Sequence, residues 1–285
     1  MLPHRPQPLG RHRAVAGHRG ARAGGRARGA GGVREERVRL AAALGIRAGD
    51  TVAFAGAGGK SSAIVQIAQE LRKSGMTVIA APTTKMFLSE AEKIGPLVVS
   101  GEEAELVRGV KEALAESGTA VAGSELLSKK RVGGVAPETV GTLAGLADVT
   151  LVEADGARRR PLKGTAEHEP VLPAGVTLVV AVGGIRALGR ELSEEVVHRP
   201  EVFSGLTGIG PGHTITPEAF AQALVLGSLR NTPEGVRRAA LITGTEPGRS
   251  MFDAAVVARQ LRSLGLETVV GANLPEEGPV GVWAL

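Results

Sequence analysis

Three glycines followed by a lysine and two serines, in Gly56-Ala57-Gly58-Gly59-Lys60-Ser61-Ser62, form the stretch of this chain best suited to chemistry. Glycine at 56, 58 and 59 lets the backbone turn tightly and present successive N–H groups to an anion with no Cβ in the way. A helix beginning near Lys60 adds its N-terminal partial positive charge at the same point. Lys60 then supplies a full charge for the β and γ phosphates of a nucleotide, and the Ser61 hydroxyl is placed to ligate Mg²⁺. The strict pattern G-x-x-x-x-G-K-[ST] is not met, because Phe54 stands where its first glycine belongs, so the loop is a shortened variant. A plain strand-to-helix turn with an exposed lysine is the competing reading.

A second chemical element is Val149-Thr150-Leu151-Val152-Glu153-Ala154-Asp155-Gly156, an apolar run ending in two carboxylates. A buried strand delivers a carboxylate rigidly to a Mg²⁺ shell or to an attacking water, so Glu153 and Asp155 are both candidate metal and catalytic groups, together with Lys60. Charges leaving the core at a strand end are the alternative. Ala157-Arg158-Arg159-Arg160-Pro161-Leu162-Lys163 follows, and its cations can neutralise γ-phosphate charge or hold an anionic substrate. His168, inside Glu167-His168-Glu169-Pro170, reads as a base, a metal ligand or part of a solvated loop. His198 and Arg199 precede Pro200, which also fits a capping turn with proline at an early helical position. Thr84 and Lys85 close an earlier strand.

These groups need rigid elements to hold them. From residue 33 onward, short apolar runs alternate with amphipathic stretches. Helices are expected at Val33–Leu44, Ser61–Ser74, Glu102–Glu116, 138–146, Pro217–Leu226 and Met251–Leu264. Strands are expected at Thr51–Ala55, Thr77–Ala81, Leu97–Ser100, Thr119–Ala122, Val149–Val152, Val176–Val182, Ala239–Thr243 and Glu267–Gly271. That alternation calls for an α/β fold, a mostly parallel sheet with helices on both faces, in which ligands bind at the carboxyl ends of the strands. Residues 33–285 read as a single P-loop α/β domain.

Composition narrows the chemistry further. The 285 residues contain no cysteine, which excludes disulfides, thiolate catalysis, zinc clusters of the Cys type and iron–sulfur ligation, so a metal is expected to be held by oxygen or imidazole. Five Phe, one Trp and no Tyr leave the core to aliphatic side chains. The net charge of +5 is misleading, because residues 1–39 hold ten arginines against two glutamates and the remainder carries 27 acids against 24 Lys and Arg. Nucleic-acid binding by the body of the chain is therefore disfavoured. Residues 1–32, rich in Arg and Gly, lack the large apolar groups that repay ordering and read as a disordered tail or the product of a start assigned too far upstream. No run approaches the ~20 apolar residues of a membrane span, and no apolar signal core opens the chain, so a cytoplasmic location is expected.

Taken in order, Gly56 to Ser62, Thr83-Thr84-Lys85, Glu153-Ala154-Asp155-Gly156 with Pro161-Leu162-Lys163, Glu167-His168-Glu169-Pro170 and His198-Arg199-Pro200 resemble the motifs of the YqeC family. The resemblance covers roughly residues 36–285. It implies a P-loop NTPase-like fold and an accessory role in the maturation of a selenium-dependent molybdenum hydroxylase, with that metalloenzyme or its cofactor as partner. It also implies ATP or GTP with Mg²⁺ as cofactors and a Mg-dependent nucleoside triphosphatase. Where related P-loop proteins carry the base-reading N-K-x-D, this chain has Thr243-Gly244-Thr245-Glu246, which favours ATP over GTP. Two other readings remain open: a small-molecule kinase using Arg158, Lys163 and His168 for its acceptor, and a nucleotide-binding regulator that does not hydrolyse.

Overall fold

Asp50-Thr51-Val52-Ala53-Phe54-Ala55-Gly56 forms a strand in which all seven residues are buried, as expected for a central strand covered on both faces. Its side chains alternate between two cores. Val52 and Phe54 pack with Leu40, Ile64 and Ile67 on one side of the sheet, while Ala53 joins Val152, Ala181 and Ala240 on the other. The computed structural model describes residues 39–274 and 281–283. The expected tail, residues 1–32, lies outside them, as does the first half of the helix expected from Val33.

In chain order the elements begin with α1 (Leu40–Ala43), β1 (Asp50–Gly56), α2 (Lys60–Lys73), β2 (Val78–Ala80), β3 (Met86–Phe87), α3 (Leu88–Ile94), β4 (Leu97–Val99) and α4 (Glu103–Ser117). The middle comprises β5 (Thr119–Gly123), β6 (Leu126–Ser128), β7 (Arg131–Val132), α5 (Pro137–Ala144), β8 (Val149–Glu153), β9 (Leu162–Lys163), β10 (Leu178–Gly184), β11 (Val197–His198) and α6 (Pro200–Thr207). The last are α7 (Pro217–Gln222), β12 (Arg237–Thr243), α8 (Arg249–Ser263), β13 (Thr268–Ala272) and β14 (Gly281–Trp283).

Among the described residues nine strands make the main sheet, in the order β14-β13-β12-β10-β1-β8-β2-β5-β4. All neighbours are parallel except β14, which runs antiparallel to β13. The loop after β1 therefore opens between the carboxyl ends of β8 and β10, with Phe54 level with Glu153 and Gly56 level with Val182.

Expected and observed elements differ where local signals are weak. The helix expected over Pro217–Leu226 is α-helical only to Gln222 and continues as a π-helical stretch, Ala223–Ser228. Two small sheets, β3-β7-β6 and β9-β11, have no counterpart in the sequence reading. Strands of two or three residues carry too short a pattern to reveal a period. Among the described residues no helix is long and apolar enough to cross a membrane.

Candidate functional site

The glycine loop is built by close backbone approach. Gly56, Gly58 and Gly59 all take positive φ, at 100°, 82° and 132°, which side-chain-bearing residues rarely adopt. A Cβ on Gly58 would sit 2.5 Å from the nitrogen of Gly184 and 2.6 Å from the carbonyl oxygen of Pro161. Thr243, at the end of β12, closes the loop from outside by donating its hydroxyl to the Gly58 carbonyl.

The first two amides of the loop are used internally. The Gly56 N–H donates to both carboxylate oxygens of Asp155, at 3.1 and 2.9 Å, and the Ala57 N–H to the Val182 carbonyl at 2.9 Å. The next five main-chain N–H groups, from Gly58 to Ser62, have no acceptor among the described residues, and the helical ladder of α2 begins with Ala63 N–H on Gly59 O. Orphan donors at the start of a helix beside a lysine form an anion cradle.

Behind the loop lies a chain of buried charges. Lys60 Nζ donates to the Gly56 carbonyl at 2.6 Å and lies 3.1 Å from Asp155 and 3.9 Å from Glu153. Asp155, fully buried, also receives Lys163 Nζ at 2.9 Å, and Lys163 reaches on to Glu169 at 2.8 Å and to the Gly156 carbonyl. Arg199 pairs with the same Glu169 oxygen. The pairing of β9 with β11, Lys163 level with His198, brings this last segment into place. Burial opposes the Lys60 ammonium, but Asp155 and Glu153 outweigh it and hold Lys60 above the ordinary lysine range. Burial likewise opposes ionisation of Glu169, yet Arg199 and Lys163 hold it below the usual carboxylate value.

Glu153 differs from the other acids. Burial pushes its carboxyl up to about 7 against the pull of Lys60 and of the Ser61 hydroxyl, which donates to it at 2.9 Å. His198 is held below the ordinary imidazole value by burial and by Arg199, Lys163 and Arg158, so it is mainly neutral near pH 7. All of these groups except Asp155 and Lys163 line one cleft of about 1280 Å³. Strand, glycine turn, helix and adjacent acidic strand make this an α/β fold of the P-loop type.

The donor set can be tested against the groups that such a loop implies. A triphosphate needs main-chain N–H groups and a cation, and Gly58 to Ser62 with Lys60 supply both. Mg²⁺ at phosphate sites is held through one or two carboxylates while substrate oxygens complete its shell. Ser61 and Glu153 fit that pattern, whereas no group of three His, Asp or Glu able to hold a metal alone occurs among the described residues. Asp155, expected as an alternative metal ligand, is fully buried, accepts the Gly56 N–H at both oxygens and is paired with Lys60 and Lys163.

The family model described as YqeC protein matches residues 52–201, from β1 through the start of α6. This chain belongs to the YqeC family. The YqeC protein of Escherichia coli (strain K12) is 35% identical over 192 residues, which are 66% of this chain and 73% of that protein. Similar solved structures include the signal recognition particle 54 kDa protein of Aeropyrum pernix K1 in complex with GDP, at 12% identity and TM-score 0.39. Two others are chloroplast FtsY of Physcomitrella patens, at 13% and 0.42, and the cell division protein FtsY of Thermotoga maritima, at 13% and 0.36. Each match covers 82% of this chain but less than two thirds of the other, namely 44%, 62% and 65%.

In this YqeC-family chain the structure gathers most of the expected site residues. Gly58 to Ser62, Thr84, Lys85, Glu153, Arg158, His198 and Arg199 share the cleft wall, while Gly56, Ala57, Asp155 and Lys163 are buried and do not line it. His168 is the exception. It is exposed and off the cleft wall, as is Glu167, while Glu169 two positions on is buried against Lys163 and Arg199. Nothing in Glu-His-Glu-Pro tells which of its groups turns inward, because the segment is a loop without a period. Arg199, at φ 59° just before α6, is both the residue preceding an N-terminal proline and an ion-pair partner, so the two readings of its motif coincide.

Proposed function

We propose that the chain binds a nucleoside triphosphate with Mg²⁺, and that the run of N–H groups from Gly58 to Ser62 without an acceptor, at the start of α2 and including that of Lys60, is the feature that carries this reading. Gly58 to Ser62 hold phosphate oxygens, Lys60 turns from Asp155 toward them, and Ser61 with Glu153 holds the metal. A metal so placed neutralises charge on the phosphates. Glu153 would have to be ionised to hold the cation, as any metal-ligating carboxylate must. Asp155 keeps Lys60 charged and fixes Gly56, which makes it a positioning group. ATP is favoured over GTP on the Thr243-Gly244-Thr245-Glu246 stretch, and hydrolysis is the expected reaction.

Family membership supports the further reading that turnover serves maturation of a selenium-dependent molybdenum hydroxylase in the cytoplasm. With no cysteine in the chain, any inorganic cargo is handled through nitrogen and oxygen. The deciding experiment is calorimetry of the full chain with Mg-ATP and Mg-GTP, paired with a phosphate-release assay. Saturable binding dependent on Lys60 and followed by phosphate release is expected; absence of binding to both nucleotides ends the proposal, and phosphate found on an acceptor instead of in water makes the protein a kinase.

A further inference from the structure

Phe87 carries two cations. The guanidinium carbon of Arg131 lies 4.2 Å from its ring centroid, and that of Arg159 lies 4.2 Å from the same point. An aromatic face attracts a cation, but two guanidinium groups on one ring sit within about one Debye length (~8 Å at physiological ionic strength) and repel each other. Neither has a carboxylate within ion-pair distance among the described residues, in contrast to Arg199 and Arg237. Arg131 arrives from β7 as the cross-strand partner of Phe87. Arg159 arrives from the loop after β8, where Arg158 and Arg159 both hold left-handed backbone, at φ 46° and 61°. Arg186 donates to the Arg159 carbonyl at 3.5 Å and adds a third guanidinium. All three line the cleft, as does Thr84, whose Oγ1 is buried without a hydrogen-bond partner.

Like charges gathered from three distant parts of the chain, with left-handed backbone at non-glycine residues, are stabilised when an anion lies among them. The cleft also has room to spare. At about 1280 Å³ it exceeds the ~300–1,000 Å³ of most small-molecule sites, and a second recess of about 490 Å³ shares Arg159, Arg160 and Arg186 with it and is also lined by Arg190.

We propose that Phe87, Arg131, Arg159 and Arg186 form a second anion site, distinct from the glycine loop, that holds a phosphate-like oxyanion, free or as an ester on a small molecule. It rests on the nucleotide reading only for what occupies Lys60. Planar guanidinium groups pair two oxygens of such a group at once, and Phe87 fixes their planes.

The test is calorimetry of the full chain with pyrophosphate, alone and with a saturating non-hydrolysable Mg-ATP analogue. Pyrophosphate is expected to bind in both cases. Arg131→Ala and Arg159→Ala are expected to weaken it about 10-fold or more while leaving the affinity for the analogue unchanged. Arg159→Lys, which keeps the charge and loses the stacked plane, shows a smaller loss in a chain whose circular dichroism matches the wild type. Lys60→Ala removes the analogue and spares pyrophosphate. Displacement of pyrophosphate by the analogue, or equal loss of both ligands in the arginine variants, overturns the second site, as does no pyrophosphate binding at all. Failure of the analogue to bind wild type sinks the nucleotide reading alone, since the pyrophosphate titration still decides this one. Comparing inorganic phosphate with phenyl phosphate separates a free oxyanion from an ester.

Discussion

Asp155 accepts the main-chain N–H of Gly56 at both carboxylate oxygens, at 3.1 and 2.9 Å, across 99 residues of sequence. This contact joins the acidic strand to the first turn of the glycine loop, and it places one negative charge beneath Lys60 and Lys163 together. The loop is thus held from below by a charge instead of by packing alone.

Replacing Asp155 by Asn leaves Lys163 buried beside an amide and Lys60 short of its nearest counter-charge. Removing one member of a buried pair typically costs ~3–5 kcal/mol. A fall of that size is expected in urea unfolding, and a change below about 1 kcal/mol would mean that the network is not as buried as its geometry indicates.

Lys60→Ala removes the only side-chain charge of the loop. Nucleotide affinity should fall by about 100-fold or more, on the basis of ~1.5–3 kcal/mol for each charged hydrogen bond to phosphate. Isothermal titration with Mg-ATP reads this directly, and Lys60→Arg is not expected to rescue, since a planar guanidinium does not reproduce the compact ammonium that meets Gly56 O and Asp155.

Gly58→Ala and Gly49→Ala share a left-handed backbone, at φ 82° and 88°, but not a neighbourhood. A Cβ at 49 meets nothing within 4 Å, whereas at 58 it meets main-chain atoms of Gly184 and Pro161. The alanine at 49 should cost ~1–2 kcal/mol from backbone strain alone. That at 58 should cost more and abolish nucleotide binding, because the clashing atoms cannot swing away. Equal melting temperatures for the two variants would contradict the observed loop.

The Glu153 carboxyl, at about 7 when folded, binds its proton more tightly than in the unfolded chain, where it has an ordinary value near 4.5. A raised carboxyl value means that the folded state holds more protons between those limits, so stability falls as pH rises from about 4.5 to 7. Mg²⁺ requires the ionised form, so affinity for Mg-nucleotide rises across the upper part of the same window. Glu153→Gln should flatten both curves. A nucleotide affinity independent of pH between 6 and 8 in wild type argues against Glu153 as the metal ligand.

Sequence alone determined what is local. The glycine spacing, the apolar runs of β1 and β8 and the amphipathic face of α2 follow from backbone freedom and side-chain period, and they sufficed for an α/β fold with a glycine turn leading into a helix at Lys60. Only the tertiary structure decided which of several charges meet. Parallel pairing of β1 with β8 brings Gly56 onto Asp155, and pairing of β9 with β11 brings Arg199 onto Glu169 instead of His168. The Arg131–Phe87–Arg159 stack likewise depends on strands of two residues. Such contacts span tens of residues through segments too short or too irregular to carry a period, so their register is fixed by what the rest of the fold buries and not by their own order of residues.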